Sequence, residues 1–265
     1  MDETQVFETL TVNVDERGVA TVLLNRADKH NALNAQMIAE LTDVAQQVAN
    51  QTDIRVVVLT GSGRSFCAGG DLEWMKQQMS ADPTSRANEA RKLAEMLSVW
   101  NTCPKPVIGR VQGQAFGGGV GLACVCDVAI GVSGAKFGLT ETRLGLIPAT
   151  IGPYVLARLG EAMARRVFMS SRIFEAQEAV TLGVLAKAVP SEALDAAVEA
   201  EVVPYLKCAP QAVAAAKSLA RRLGPPIDDS IIDETIAALV QQWEGGEAPE
   251  GISAFFDKRA ARWAL

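Results

Sequence analysis

The run Gly113-Gln114-Ala115-Phe116-Gly117-Gly118-Gly119-Val120-Gly121-Leu122-Ala123-Cys124-Val125-Cys126-Asp127-Val128-Ala129-Ile130-Gly131-Val132 decides the fold class. Glycines lead into an apolar helix over Leu122 to Cys126, and a β-branched stretch, Asp127 to Val132, then reads as a buried strand. Just upstream, after Cys103-Pro104-Lys105-Pro106, Val107 to Val111 reads as another buried strand. Before that, Arg55 to Thr60 contains the unbroken Val56-Val57-Val58-Leu59, which fits a sheet covered on both faces. Helical patterns separate these strands: Met37, Ile38, Leu41, Val44, Ala45 and Val48 recur at helical spacing over Ala35 to Val48, and a second helix is expected around Pro83 to Trp100. A hairpin, Phe7 to Val14 with Val19 to Asn25, opens the chain. Strand, loop and helix alternate, so the expected class is α/β, with chemistry on loops at strand ends. Beyond about Ser191 the pattern is helical only: Glu192 to Leu206, Pro210 to Leu223, Ile227 to Trp243 and Glu250 to Trp263. A core over 1–192 with a helical region over 193–265 is the expected division. Trp243, Phe255, Phe256 and Trp263 need cover there, and a subunit contact is the expected source.

Composition narrows the chemistry. With 49% hydrophobic and 21% charged residues, the chain has the balance of a packed protein. A net charge of -6 speaks against nucleic-acid binding. The acidic stretch Met1 to Ala20 lacks the features of a secretory signal, and no run reaches the roughly 18 apolar residues of a spanning helix, so a cytoplasmic protein without a membrane partner is expected. The five cysteines lack zinc-ribbon spacing and read as reduced, mostly buried thiols. A single histidine, His30, removes most zinc sites and every Ser-His or Cys-His triad that does not use it; no metal is expected.

The glycine-rich loops are not phosphate cradles. Gly61 to Gly70 lacks a Gly-Lys-Ser/Thr ending, and Gly119-Val120-Gly121-Leu122-Ala123-Cys124 lacks the third glycine of a dinucleotide fingerprint. Two readings remain open for these glycines. One is tight packing of helix on sheet. The other is close approach of backbone N–H groups to a ligand oxygen, with Gly118 supplying an unpaired donor at a helix start.

Five stretches in order and spacing, Ser65-Phe66-Cys67-Ala68-Gly69-Gly70-Asp71-Leu72, Lys105-Pro106-Val107-Ile108, Gly113 to Gly119, Cys126-Asp127 and Phe137-Gly138-Leu139-Thr140-Glu141, resemble those of enoyl-CoA hydratase/isomerase (crotonase) family enzymes. The likeness runs from about Val19 to Arg259, with Lys29-His30-Asn31-Ala32-Leu33-Asn34 early and Ala254 to Arg259 late. It implies a crotonase-like ββα spiral core with a C-terminal helical oligomerisation region, a homotrimer or homohexamer, and an acyl-CoA thioester as substrate. Coenzyme A enters as part of that substrate and no separate cofactor is implied.

By the same resemblance, the amides of Ala68 and Gly118 bind the thioester oxygen as it becomes an enolate, and Glu141 is the acid/base. Lys29, Ala32, Gly69, Gly70, Asp71 and Leu72 are placed along the CoA, with Phe255 and Lys258 near its phosphates, from a neighbouring subunit if not from the same chain. The sequence departs from the family at Gly121, where hydratases usually carry a second glutamate. Glu141 then serves alone, which fits hydration through one relaying base and equally a Δ3-Δ2-enoyl-CoA isomerase. The segment Thr140 to Val155, with Gly119-Val120-Gly121, looks like bacterial hydratases of methylglutaconyl-CoA type, and this favours hydration. Arg143 is the candidate partner for such a substrate's own carboxylate, with an ordinary salt bridge as the alternative. A CoA- or RNA-binding scaffold without turnover is the rival of another class.

Overall fold

The computed structural model describes residues 3–264; Met1 and Asp2, which begin the acidic N-terminal stretch, lie outside them. Two sheets build the core. The larger contains β1 (Glu3–Val6), β2 (Leu10–Val14), β3 (Val19–Leu24), β4 (Val56–Gly61), β6 (Val107–Val111), β8 (Val128–Val132) and β11 (Lys187–Val189), side by side in that order. The smaller, in the order β10-β9-β7-β5, contains β5 (Ser65–Cys67), β7 (Gln114–Phe116), β9 (Lys136–Gly138) and β10 (Ile173–Glu175).

The first three strands form an antiparallel meander, and the larger sheet is parallel from β3 onward. Its central strand is buried throughout. Val57 and Leu59 face the main core, whereas Val56 and Val58 face Leu194, Val198 and Val202 of α8 (Leu194–Leu206). Two covered faces explain why this strand carries no polar alternation.

Around the sheets lie α1 (Ala35–Asn50), α2 (Leu72–Ser80), α3 (Pro83–Thr102), α4 (Gly118–Val125), α5 (Gly152–Leu159), α6 (Glu161–Phe168) and α7 (Ala176–Leu182). The expected apolar stripe of α1 is the buried one, and Asn34 caps its start by accepting the Met37 N–H. After α8 come α9 (Pro210–Leu223), α10 (Asp229–Glu244) and α11 (Glu247–Phe256). Ile232 and Ile236 of α10 pack on Ala90 and Ala94 of α3. Trp243 is buried, and Phe256 partly buried, against a cluster that the chain's own Met75, Met79 and Leu146 supply. Phe255 and Trp263 stay exposed. Among the described residues no helix is long and apolar enough to cross a membrane.

The structure differs from expectation in two places that matter for function. The helix expected from Leu122 begins four residues earlier, at Gly118, because its first turn is built of glycines that carry no apolar pattern. The smaller sheet was hidden because its strands have three residues each, too short for a period-2 pattern.

Candidate active site

Strands β5, β7 and β9 are adjacent and parallel, so the loops leaving their C-terminal ends emerge together. Those loops are Ala68-Gly69-Gly70, Gly117-Gly118 and Leu139-Thr140-Glu141. The carboxyl ends of parallel strands are where α/β folds gather ligand-binding groups. The contacts are close. A Cβ added at Gly117 would lie 2.9 Å from Glu141 Oε1 and 3.9 Å from Gly69 Cα, and one added at Gly118 would also lie 3.9 Å from Gly69 Cα. Gly117 has φ of +47°, a conformation strained for other residues, and its N–H donates to the Gly138 carbonyl at 2.9 Å. Gly117→Ala combines backbone strain with a methyl group pressed on the Glu141 carboxyl. Its expected result is at least a tenfold loss of turnover and a lower Tm, read by steady-state kinetics and thermal unfolding.

The donor assignment in the first loop needs correction. The Ala68 N–H donates to the His30 carbonyl at 3.0 Å and is therefore not free for a ligand. The amide of Gly70, two residues on, meets no acceptor among the described residues. The turn between them is made by Gly69, with φ of +92°. The Leu33 N–H donates to the Gly69 carbonyl at 2.8 Å, and the Asp71 N–H to the Leu33 carbonyl at 2.9 Å, which leaves the intervening Gly70 amide facing away from the pairing. Gly118, at the first position of α4, likewise has an N–H without an acceptor among the described residues, as the first turn of a helix leaves it.

Glu141 opens a short 3-10 turn, Glu141–Leu144. The residue as a whole is partly exposed, but Oε2 is shut off from solvent and has no hydrogen-bond partner among the described residues. This local desolvation disfavours the charged form and pushes the carboxyl up from 4.5 to about 7, with only its own N–H opposing. A carboxyl poised there can take and return a proton near neutral pH. Gly121 lies one turn along α4 from Gly118, and the volume a side chain would fill is taken by Ile151: an added Cβ would lie 2.6 Å from Ile151 Cγ2.

Ala32, Gly69, Gly70 and Asp71 are joined in one layer by the Leu33 pairing. Asp71 is structural as well. Its burial is outweighed by hydrogen bonds from Arg26, at 2.9 Å, and from the amides of Glu73 and Trp74, which hold its carboxyl below the usual range and cap α2. Arg26 also donates to the Ala32 carbonyl at 2.6 Å, so it ties both loops together, and nothing in the motif pattern marked it. Lys29, Leu72, Phe255 and Lys258 are exposed. Phe255 is the last residue but one of α11 and Lys258 follows two residues after its end, and this helix lies on the 3-10 turn of Glu141 in the same chain: a Cβ on Gly251 would lie 2.5 Å from the Leu144 carbonyl carbon. Arg143 is exposed, its guanidinium meets the Ser171 carbonyl at 3.4 Å, and it makes no ion pair among the described residues.

A separate cleft of about 610 Å³ lies at the far end of α4, lined among others by Asp127, Arg158 and Lys217. None of the residues above line it, and its charges have structural partners. Lys217 pairs with Asp127 at 2.7 Å, and Arg158 donates to the carbonyls of Cys126 and Asp127. Cys67, Cys124 and Cys126 are fully desolvated, which pushes their thiols up to about 12 and leaves them inert near neutral pH.

Two unpaired amides and a desolvated carboxyl at adjoining strand ends define an acid/base site equipped for an oxygen that gains negative charge. Residues 15–264 match the model of the Enoyl-CoA hydratase/isomerase family, and the chain belongs to that family. It is 36% identical to an enoyl-CoA hydratase of Shewanella pealeana whose crystal structure superposes with a TM-score of 0.79, covering 97% of this chain and 96% of that one. It is 33% identical to the short-chain-enoyl-CoA hydratase of Clostridium acetobutylicum, over 96% of this chain and 97% of the relative. It is 30% identical to the (E)-benzylidenesuccinyl-CoA hydratase of Thauera aromatica, over 91% of this chain and 94% of the relative.

Proposed function

We propose that this enzyme hydrates a 2-enoyl-CoA thioester with Glu141 as its only acid/base and the amides of Gly70 and Gly118 as its oxyanion donors. The observation that carries the reading is the Glu141 carboxyl, desolvated and unpaired at Oε2 beside Gly117, where its proton affinity suits a relay at neutral pH.

The steps balance on one carboxylate. Glu141 takes a proton from water as the oxygen bonds to the β carbon, and the π electrons move onto the thioester oxygen held by the two amides. The protonated Glu141 then gives its proton to the α carbon, on the same face, and the enolate collapses to the 3-hydroxyacyl thioester. The donors act most strongly on charge that develops during the step, typically about a hundred- to a thousandfold each in rate.

The acyl group we infer is of methylglutaconyl type, carrying its own carboxylate to order the attacking water. The hydratase of Thauera aromatica, named for a succinyl thioester, supports a carboxylate-bearing acyl group on this scaffold. A part for Arg143 in holding that carboxylate requires its side chain to leave Ser171. CoA would run past Lys29, Ala32 and Leu72 toward Phe255 and Lys258, in a homotrimer or homohexamer without a further cofactor. A second reading, Δ3-Δ2 isomerisation, is favoured by one observation: Ile151 leaves no room for a second acid/base at position 121, and isomerisation needs only one.

Incubation with 3-methylglutaconyl-CoA, crotonyl-CoA and a 3-enoyl-CoA, with products identified by mass, separates the two. Gain of one water, fastest on 3-methylglutaconyl-CoA, is expected. Conversion of the 3-enoyl thioester without mass change would install the isomerase, and no turnover on any of them would leave a binding scaffold.

A further inference from the structure

Gly121 and Ile151 are packed as a pair, thirty residues apart in sequence. A Cβ at 121 would lie 2.6 Å from Ile151 Cγ2 and 3.1 Å from its Cβ, with Leu97 Cδ2 at 3.7 Å. The contact at the Ile151 branch carbon is one that a rotamer change cannot relieve. Ile151 is itself fixed: it is 3% exposed, and its carbonyl accepts the N–H of Tyr154 at 3.1 Å and of Val155 at 3.0 Å at the start of α5. Gly121 is one helical turn past Gly118, about 4.5 Å along α4 and on nearly the same face. Because side chains on a helix lean toward its N-terminus, the volume that a side chain at 121 would fill lies on the Gly118 side of α4, and Ile151 and Leu97 occupy it.

We propose that Ile151 is a specificity-determining residue of this enzyme: it fills the volume next to the Gly118 donor, keeps that side of the site apolar and without a second ionisable group, and sets the width available to the acyl chain. The proposal rests on Glu141 acting as the sole acid/base beside that donor. One methylene of space in an apolar pocket typically changes discrimination by about ten- to two-hundredfold. Ile151→Ala removes three carbons and should open the site to bulkier chains.

The test compares kcat/KM of the wild type and Ile151→Ala on crotonyl-CoA and on 2-hexenoyl-, 2-octenoyl- and 3-methylglutaconyl-CoA. The expected result is a rise of at least tenfold in the ratio of a longer-chain thioester to crotonyl-CoA. Ratios within twofold of wild type on every pair would overturn the proposal. The packing is read separately by Tm, using Gly121→Ala in both backgrounds. Gly121→Ala should lower Tm markedly beside Ile151 and by much less beside Ala at 151; equal losses would overturn the pairing. Since Tm needs no substrate, failure of the hydratase reading and failure of this pairing are told apart.

Discussion

Glu141→Gln is expected to lower kcat by about a hundred- to ten-thousandfold while leaving the fold intact, since the amide keeps the shape of the carboxyl and removes its proton transfer. The wild-type pH profile carries the same information. With the carboxyl raised from 4.5 to about 7 by desolvation, the base form is lost as pH falls, so kcat/KM should drop tenfold per pH unit below about 7. The residual activity of Glu141→Gln should lack that limb. Stability moves in the opposite sense. A carboxyl that binds its proton more tightly folded than unfolded contributes stability that is fully present below about 4.5 and is lost as pH rises through about 7. Replacing it removes a penalty at pH 8 of at most about 3 kcal/mol, less in practice because the side chain is partly exposed. Glu141→Gln should therefore melt above the wild type at pH 8 and no higher than it at pH 4.5. Thermal unfolding at the two pH values checks this, and a lower Tm at pH 8 would contradict it.

Gly118→Pro is the second large effect. Position 118 is the first residue of α4, where proline is tolerated because its missing N–H has no intrahelical partner. The ring would press on Leu33 Cδ1, which lies 2.7 Å from an added Cβ and is the end of a flexible side chain. The substitution thus deletes one donor with little harm to the helix. The expected loss is about a hundred- to a thousandfold in kcat, with kcat/KM falling by the same factor, because the bond strengthens as charge develops. Circular dichroism should match the wild type. A variant within threefold of wild-type kcat would remove Gly118 from the reaction.

Legibility in the sequence followed the length of each signal. The valine run of β4 and the apolar stripe of α1 extend over enough residues to declare their faces, and both stand in the structure as read. The smaller sheet did not declare itself, although its three parallel strands are what bring the site together. Glu141 and Gly118 stood in the quoted motifs, and the structure places them at adjoining strand ends. In the first loop the amide without an acceptor among the described residues lies two residues beyond the expected one, because the direction of an amide depends on the left-handed turn at Gly69, and residue type alone does not say which neighbour that turn frees. Gly121 was visible as a departure from the family pattern, but Ile151 was not, since only tertiary packing joins them. The aromatic tail announced a need for cover. What covers Trp243 and Phe256 is the chain's own α2 and the segment after Glu141, a contact no local pattern encodes.

The most direct test of the account is a crystal structure of Glu141→Gln with a bound 2-enoyl-CoA. The thioester oxygen should lie about 3 Å from the amide nitrogens of both Gly70 and Gly118, with the side chain of residue 141 facing the α and β carbons. A thioester oxygen bound elsewhere, or contacted by the Ala68 amide in place of Gly70, would contradict it.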